Sequence, residues 1–190
     1  MDPAVALTLD YHENVIVSGS SKNQLPYSDY ATICYDGEGT EQWKAIYNSP
    51  DSLSDIATDI TADEFGNVYV TGVSDTDIYS RDYFNIKYDS SGEPEWTARY
   101  DGPDNNTDYA EAVDSRGNVY VTGESIGIDT YYDFATVKYD STGGVYVTGY
   151  SYAVSTNTDF ATIKYNQSTG IEPSEGVIAA QTLSLSPNPS

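Results

Sequence analysis

Seven residues, Gly66-Asn67-Val68-Tyr69-Val70-Thr71-Gly72, occur again almost unchanged as Gly117-Asn118-Val119-Tyr120-Val121-Thr122-Gly123. A third copy reads Gly144-Val145-Tyr146-Val147-Thr148-Gly149, and a looser one reads Asn14-Val15-Ile16-Val17-Ser18-Gly19. Such self-similarity constrains a fold strongly, because each unit must bury its apolar surface against the next. A second motif trails every copy: Asp29-Tyr30-Ala31-Thr32-Ile33-Cys34-Tyr35-Asp36, then Asp82-Tyr83-Phe84-Asn85-Ile86-Lys87-Tyr88-Asp89. It returns as Asp133-Phe134-Ala135-Thr136-Val137-Lys138-Tyr139-Asp140 and Asp159-Phe160-Ala161-Thr162-Ile163-Lys164-Tyr165-Asn166. The first motif's apolar triplet begins at 15, 68, 119 and 145, in steps of 53, 51 and 26, and the second motif keeps step. A third motif, Trp43-Lys44-Ala45-Ile46-Tyr47 and Trp96-Thr97-Ala98-Arg99-Tyr100, also advances by 53.

A complete unit reads as four strands, in the second unit 56–62, 68–72, 83–88 and 95–100. On the third strand one face carries Ala/Phe, Ile/Val and Tyr, and the other carries Tyr/Phe, Thr/Asn and Lys. Three of the five lysines share one repeat position, where a long stem covers apolar surface while the amine stays wet. Cys34 occupies that position in the first unit and reads as an incidental exposed thiol, not a nucleophile. As the single cysteine it excludes an internal disulfide.

The second strand is apolar on both faces, with paired valines on one and Tyr69, Tyr120, Tyr146 or Ile16 on the other. A strand buried on both sides needs a sheet stacked on each. Four-stranded units of about 50 residues stacked face to face describe the blades of an all-β propeller. Nineteen tyrosines against four phenylalanines suit such strands, each ring packed and its hydroxyl wet. The turns agree. Asp63-Glu64-Phe65-Gly66 and Asp114-Ser115-Arg116-Gly117 join strands one and two. Asp36-Gly37-Glu38-Gly39, Asp89-Ser90-Ser91-Gly92 and Asp140-Ser141-Thr142-Gly143 follow strand three. Asp at the first turn position can accept from the backbone two residues on, and Gly at the fourth tolerates positive φ. These aspartates read as structural.

The combination of Gly-Asn-Val-Tyr-Val-Thr-Gly, Asp-Tyr/Phe-x-Thr-Ile-Lys-Tyr-Asp and a following Trp, over residues 2–166, resembles the bacterial SBBP β-propeller repeat. That family is usually assigned to seven-bladed propellers. The resemblance implies the fold and an exported or surface location, and it brings no catalytic residues. The sequence departs from the pattern where the Trp strand of the third unit and the first strand of the fourth are absent. Thirteen strands, about three antiparallel four-stranded blades, are then expected where a closed propeller takes about four blades or more. The chain reads as incomplete, either a fragment or an open stack whose free edges invite self-association. The repeat begins within a few residues of Met1, which predicts a natural start further upstream.

Residues 1–166 form the repeat region and 167–182 read as a linker. The final Leu183-Ser184-Leu185-Ser186-Pro187-Asn188-Pro189-Ser190 resembles the truncated start of a type IX secretion C-terminal sorting domain. That likeness implies export through the outer membrane of a Bacteroidetes-like bacterium. The alternative is a coincidental Pro-rich tail.

Thirty acidic residues against eight basic ones leave a net charge of -22. Such a surface repels phosphate backbones and anionic lipid, so neither nucleic acid nor membrane surface is an expected partner. No apolar run is long enough to span a bilayer, and no signal peptide is visible.

Antiparallel order puts the tight Asp-x-x-Gly turns at one end and the longer connections, 20–28, 74–81, 125–132 and 151–158, at the other. Tyr27, Tyr79, Tyr131, Tyr132 and Tyr152 there accompany Asp75, Asp77 and Asp129. Rings beside carboxylates suit a glycan, packing on C–H groups while the acids accept from hydroxyls. A protein ligand and plain solvated loops are the alternatives. Asp104, Asn106 and Asp108 have the spacing of a calcium loop but lack its glycine and its bidentate glutamate. The stretch reads either as a weak Ca2+ site or as a solvated acidic turn, and no other cofactor is expected. His12, the only histidine, falls in a turn, and no catalytic motif appears. The sequence is read as a non-catalytic, exported binding or scaffold module. A polysaccharide-active propeller enzyme and a purely structural adhesive array are the competing readings.

Overall fold

The computed structural model describes residues 3–22, 27–50, 53–76, 81–100, 106–113, 117–126, 132–139, 145–151, 159–165 and 177–178. Every element among them is a β-strand. The first unit contributes β1 (Ala4–Leu9), β2 (Val15–Lys22), β3 (Ser28–Tyr35) and β4 (Glu41–Tyr47), an antiparallel sheet in chain order. The second contributes β5 (Asp55–Ala62), β6 (Val68–Asp75), β7 (Arg81–Tyr88) and β8 (Pro94–Tyr100). The third sheet holds β9 (Asn106–Val113), β10 (Val119–Ile126), β11 (Tyr132–Tyr139), β12 (Val145–Ser151) and β13 (Asp159–Tyr165), again in chain order. A two-residue strand, β14 (Val177–Ile178), lies parallel to β8 at Arg99 and Tyr100, within the stretch read as a linker.

The third sheet absorbs what the sequence divides between two units. β12 pairs with β11 as β10 does on the other flank, so Tyr139 faces both Val119 and Val145, and Ala135 faces both Gly123 and Gly149. The physical reason is local. β12 begins at Val145, six residues after β11 ends at Tyr139, so the sequence that follows the third strand becomes its antiparallel neighbour. The Trp strand being absent, a second-strand copy takes its place.

The sheets stack in order, and the stacking buries both faces of the middle one. Between sheets one and two lie Ile16, Tyr30 and Cys34 from the first and Ala57, Ile60, Val68, Val70, Phe84, Ile86 and Tyr88 from the second. Between sheets two and three lie Tyr69, Tyr83 and Ala98 from the second and Val119, Val121, Val137 and Tyr139 from the third. The valine face of each sheet therefore meets the tyrosine or isoleucine face of the one before it. Tyr69 is 1% exposed, as expected of a strand covered on both sides. The first strands carry much of the backbone contact between sheets, β1 against β5 and β9 against β5 and β6, which sets them innermost. This is the radial arrangement of propeller blades, incomplete because the described sheets do not close a ring.

Equivalent contacts recur at the two interfaces. Trp43 lies 6.1 Å from Tyr88 and Trp96 lies 6.1 Å from Tyr139, each pair tilted by 35°. The buried hydroxyls are not wet, contrary to expectation. Tyr30 Oη donates to the Phe84 carbonyl across the first interface at 3.0 Å. Asn85 Nδ2 donates to Tyr139 Oη across the second at 3.1 Å. Tyr69 Oη donates to Asp63 Oδ2 at 2.9 Å. A phenol buried between sheets must find a protein hydrogen-bond partner, since water cannot reach it. Burial also pushes the Tyr88 phenol up, with Tyr47 adding to the shift and the Thr32 hydroxyl opposing it.

Cys34 is likewise a correction. It is 3% exposed, inside the first interface. The lysine at this repeat position, Lys87, reaches past the apolar layer to Glu95, but a cysteine is too short to do so. Burial, with Asp10 and Asp36 nearby, raises its thiol above the usual range.

Candidate functional site

Four aspartates organise the tight-turn end in one pattern. Asp10, Asp36, Asp63 and Asp89 each accept through Oδ1 from the backbone N–H two and four residues on, at 2.8–3.0 Å. Gly39, Gly66 and Gly92 close such turns with φ between 81 and 85°. The first turn instead places Glu13 there, at φ 64°. His12 is exposed in that turn, its ring 3.7 Å from Tyr11. This end is therefore committed to holding strands together.

At the opposite end the ladders run further than the sequence suggests. They continue to Lys22↔Ser28, Asp75↔Arg81 and Ile126↔Tyr132, which shortens the connections. Of the candidate ligand-binding residues, Tyr27 stands exposed just before β3. Asp75 ends β6, where its carboxylate accepts from Arg81 Nε at 2.8 Å. Tyr132 begins β11. The topology thus brings Tyr27, Asp75 and Tyr132 to one end of the stack. Asp77, Tyr79, Asp129, Tyr131 and Tyr152 lie outside the described residues. Asn106 and Asp108 fall in β9, opposite Ser125 and Gly123, and Asp104 lies outside the described residues. Among the described residues no group of three or more His, Cys, Asp or Glu is placed to hold a metal ion.

Beneath this end lies a polar layer that the motifs did not single out. Asp29, Ser49, Asp55, Ser74, Asp82 and Arg99 are all buried. Arg99 Nη1 donates to Asp82 Oδ2 at 3.2 Å and Nη2 donates to Ser74 Oγ at 3.1 Å. The Ser49 N–H donates to Asp55 Oδ2 at 2.8 Å, tying the connection after β4 to the start of β5. Burial raises the Asp55 carboxyl above its usual range, and the Asp29 charge adds to this. Hydrogen bonding by Ser74 and Ser49 only partly offsets the rise. Asp55 is 0% exposed, so it braces the strand ends beneath the loops and does not meet solvent. The signal for this layer was present in the sequence. Aspartate heads every copy of the second motif, at 29, 82, 133 and 159.

Stacked antiparallel sheets of this kind define a protein of propeller blades. Comparison with protein families agrees: residues 42–80 match the SBBP family, described as a beta-propeller repeat. The matched stretch starts in β4 and ends just before β7, so it crosses from the first blade to the second. No curated protein matches the chain.

Proposed function

We propose that the chain is a non-catalytic binding or scaffold module, exported to the cell surface or beyond, that engages a glycan or a protein through its long-connection end. The division of labour between the two ends supports this reading most directly. The repeated aspartates are spent on backbone amides and the repeated aromatics on the interfaces between blades. In the sequence, the residues that differ from unit to unit fall between the second and third strands, whose facing ends lie near the buried Arg99–Asp82 layer. Variable loops on a rigid repeating scaffold are the usual seat of recognition. Export rests on the likeness of the last eight residues to a sorting-domain start and on the surface location that the repeat implies.

A glycan array probed with the 190-residue chain tests this, alongside a hydrolysis assay on neutral and acidic polysaccharides. Retention on a defined glycan class that Tyr27→Ala weakens at least several-fold is the expected result. Turnover of any polysaccharide would support the enzyme instead. Silence in both assays, and in capture of proteins from the cell surface, would leave the structural array as the better description.

A further inference from the structure

The outer face of the first sheet is built like an interior. Repeat equivalence at an offset of 53 residues sets Val15, Val17, Ala31 and Ile33 where the second sheet has Val68, Val70, Phe84 and Ile86. Leu7, opposite Val17, stands where Ile60 lies opposite Val70. In the second sheet these positions are sealed by the first sheet, and Ile60 is 5% exposed. In the first they are open: Leu7 is 66% exposed, Leu9 is exposed on the same edge strand, and Ile46, paired with Ala31, is exposed at the other edge of the sheet.

A hollow of ≈ 190 Å³ in this face is lined by Ala4, Val17, Gly19, Ala31, Ile33 and Lys44. Shifted by 53, five of those positions become Ala57, Val70, Gly72, Phe84 and Ile86. That is the seat of Tyr30, whose hydroxyl lies against Gly72 and donates to the Phe84 carbonyl. Gly19 and Gly72 are alike in their own sheets. The bulged first strand sits directly over each, Pro3 O and Ala4 over Gly19, Ile56 O and Ala57 over Gly72. They differ in that only Gly72 has an aromatic tip from a preceding blade. The hollow is the same socket without its ring.

The stack's opposite face offers the complement. Tyr120 stands where Ile16 and Tyr69 are each 1% exposed between blades, yet it is only half-buried. Lys138 Nζ lies 5.4 Å from its ring centroid. Phe134 holds the third-repeat position of Tyr30, and Thr136 that of Thr32 and Asn85.

We infer that, in the 190-residue chain, a second copy covers the open valine face, its third sheet seating against the first sheet as the first seats against the second. The contact is head-to-tail, so it leaves a complementary pair of faces free, and two copies related by a two-fold axis along the stack's centre satisfy both. Six sheets then surround that axis, within the range over which propellers close. The Tyr35 hydroxyl gains a partner in Thr136, as Tyr88 has in Thr32. This association does not depend on what the loop end binds. Because each copy carries a net charge of -22, association strengthens with added salt.

Sedimentation velocity of the 190-residue chain across concentration tests the inference. A species at twice the 20.7 kDa chain mass is expected, favoured at high salt. Leu7→Glu and Tyr120→Glu should each give monomers with unchanged circular dichroism, since neither side chain is buried in the single chain. Mixing the two variants should restore a dimer, because one of its two interfaces is then free of substitutions. A monomer at all concentrations and salts would overturn the inference. So would a dimer that survives Tyr120→Glu but not Leu7→Glu, which would mean two valine faces meeting. An oligomer indifferent to both changes would also overturn it, and would mean pairing through sheet edges.

Discussion

Gly72 sits in mid-strand, where glycine ordinarily weakens a sheet. It is required because the bulge in β5 between Ala57 and Asp59 lowers the Ile56 carbonyl onto it, while the Tyr30 hydroxyl arrives from the neighbouring blade. A methyl group there collides with both. Overpacking of this kind costs about 3 kcal/mol, so Gly72→Ala should lower the denaturation midpoint sharply. Gly37 lies in a turn with nothing within 4 Å of an added Cβ. Gly37→Ala should stay within about 1 kcal/mol of the parent. Comparable losses at both positions would mean that glycine's backbone freedom matters and the inter-blade contact does not. The recurrence of Gly at the end of the motif was plain in the sequence. Its cause was not, because the colliding groups come from another strand and another blade.

At the scale of the element, the Asp-x-x-Gly turns share one hydrogen-bond pattern yet differ in consequence. Asp63 accepts from the Phe65 and Asn67 amides, from Asn67 Nδ2 and from the buried Tyr69 hydroxyl. Asp36 accepts from the Glu38 and Thr40 amides and Gln42 Nε2, all exposed. Solvent replaces bonds lost in the second case, whereas the first leaves a buried phenol without its acceptor. Asp63→Ala should therefore cost about 3 kcal/mol and Asp36→Ala about 1 kcal/mol or less, measured by urea denaturation. Equal losses would show that the turn alone sets the value. The strand and turn positions of the second unit were legible to within a few residues, since period-two alternation and turn chemistry are local. The ladder ends were not. Pairs such as Asp75↔Arg81 extend the sheet through polar residues that read as loop.

For the whole molecule, electrostatics opposes the fold at neutral pH. The net charge of -22 repels itself, and burial holds Asp55 above its usual carboxyl range. Between the ordinary carboxyl value and the raised one, the folded protein binds more protons than the unfolded chain. Stability therefore falls as pH rises through that window. Asp89 works in the opposite direction. The Ser91 hydroxyl and the amides of its turn lower its pKa, so its stabilisation is lost as pH falls through and below the ordinary carboxyl value. A melting optimum on the acidic side of neutrality is expected. Asp55→Asn should flatten the decline towards neutral pH, and added salt should raise the melting temperature most at neutral pH. Melts that improve steadily from pH 5 to 8 in low salt would contradict this.

The repeat determined the all-β class, the four-strand unit and the need to cover the tyrosine face of each second strand, because alternation and period are properties of the chain itself. Only the tertiary structure decided that β12 joins the third sheet, that Cys34 is interior, and that Asp29, Asp55, Asp82 and Arg99 meet beneath the loops. Each of these depends on which residues distant in sequence are brought within a few ångströms. One sequence position can face water on a lone sheet and lie in a dry core when a neighbour stacks on it, as Leu7 and Ile60 show.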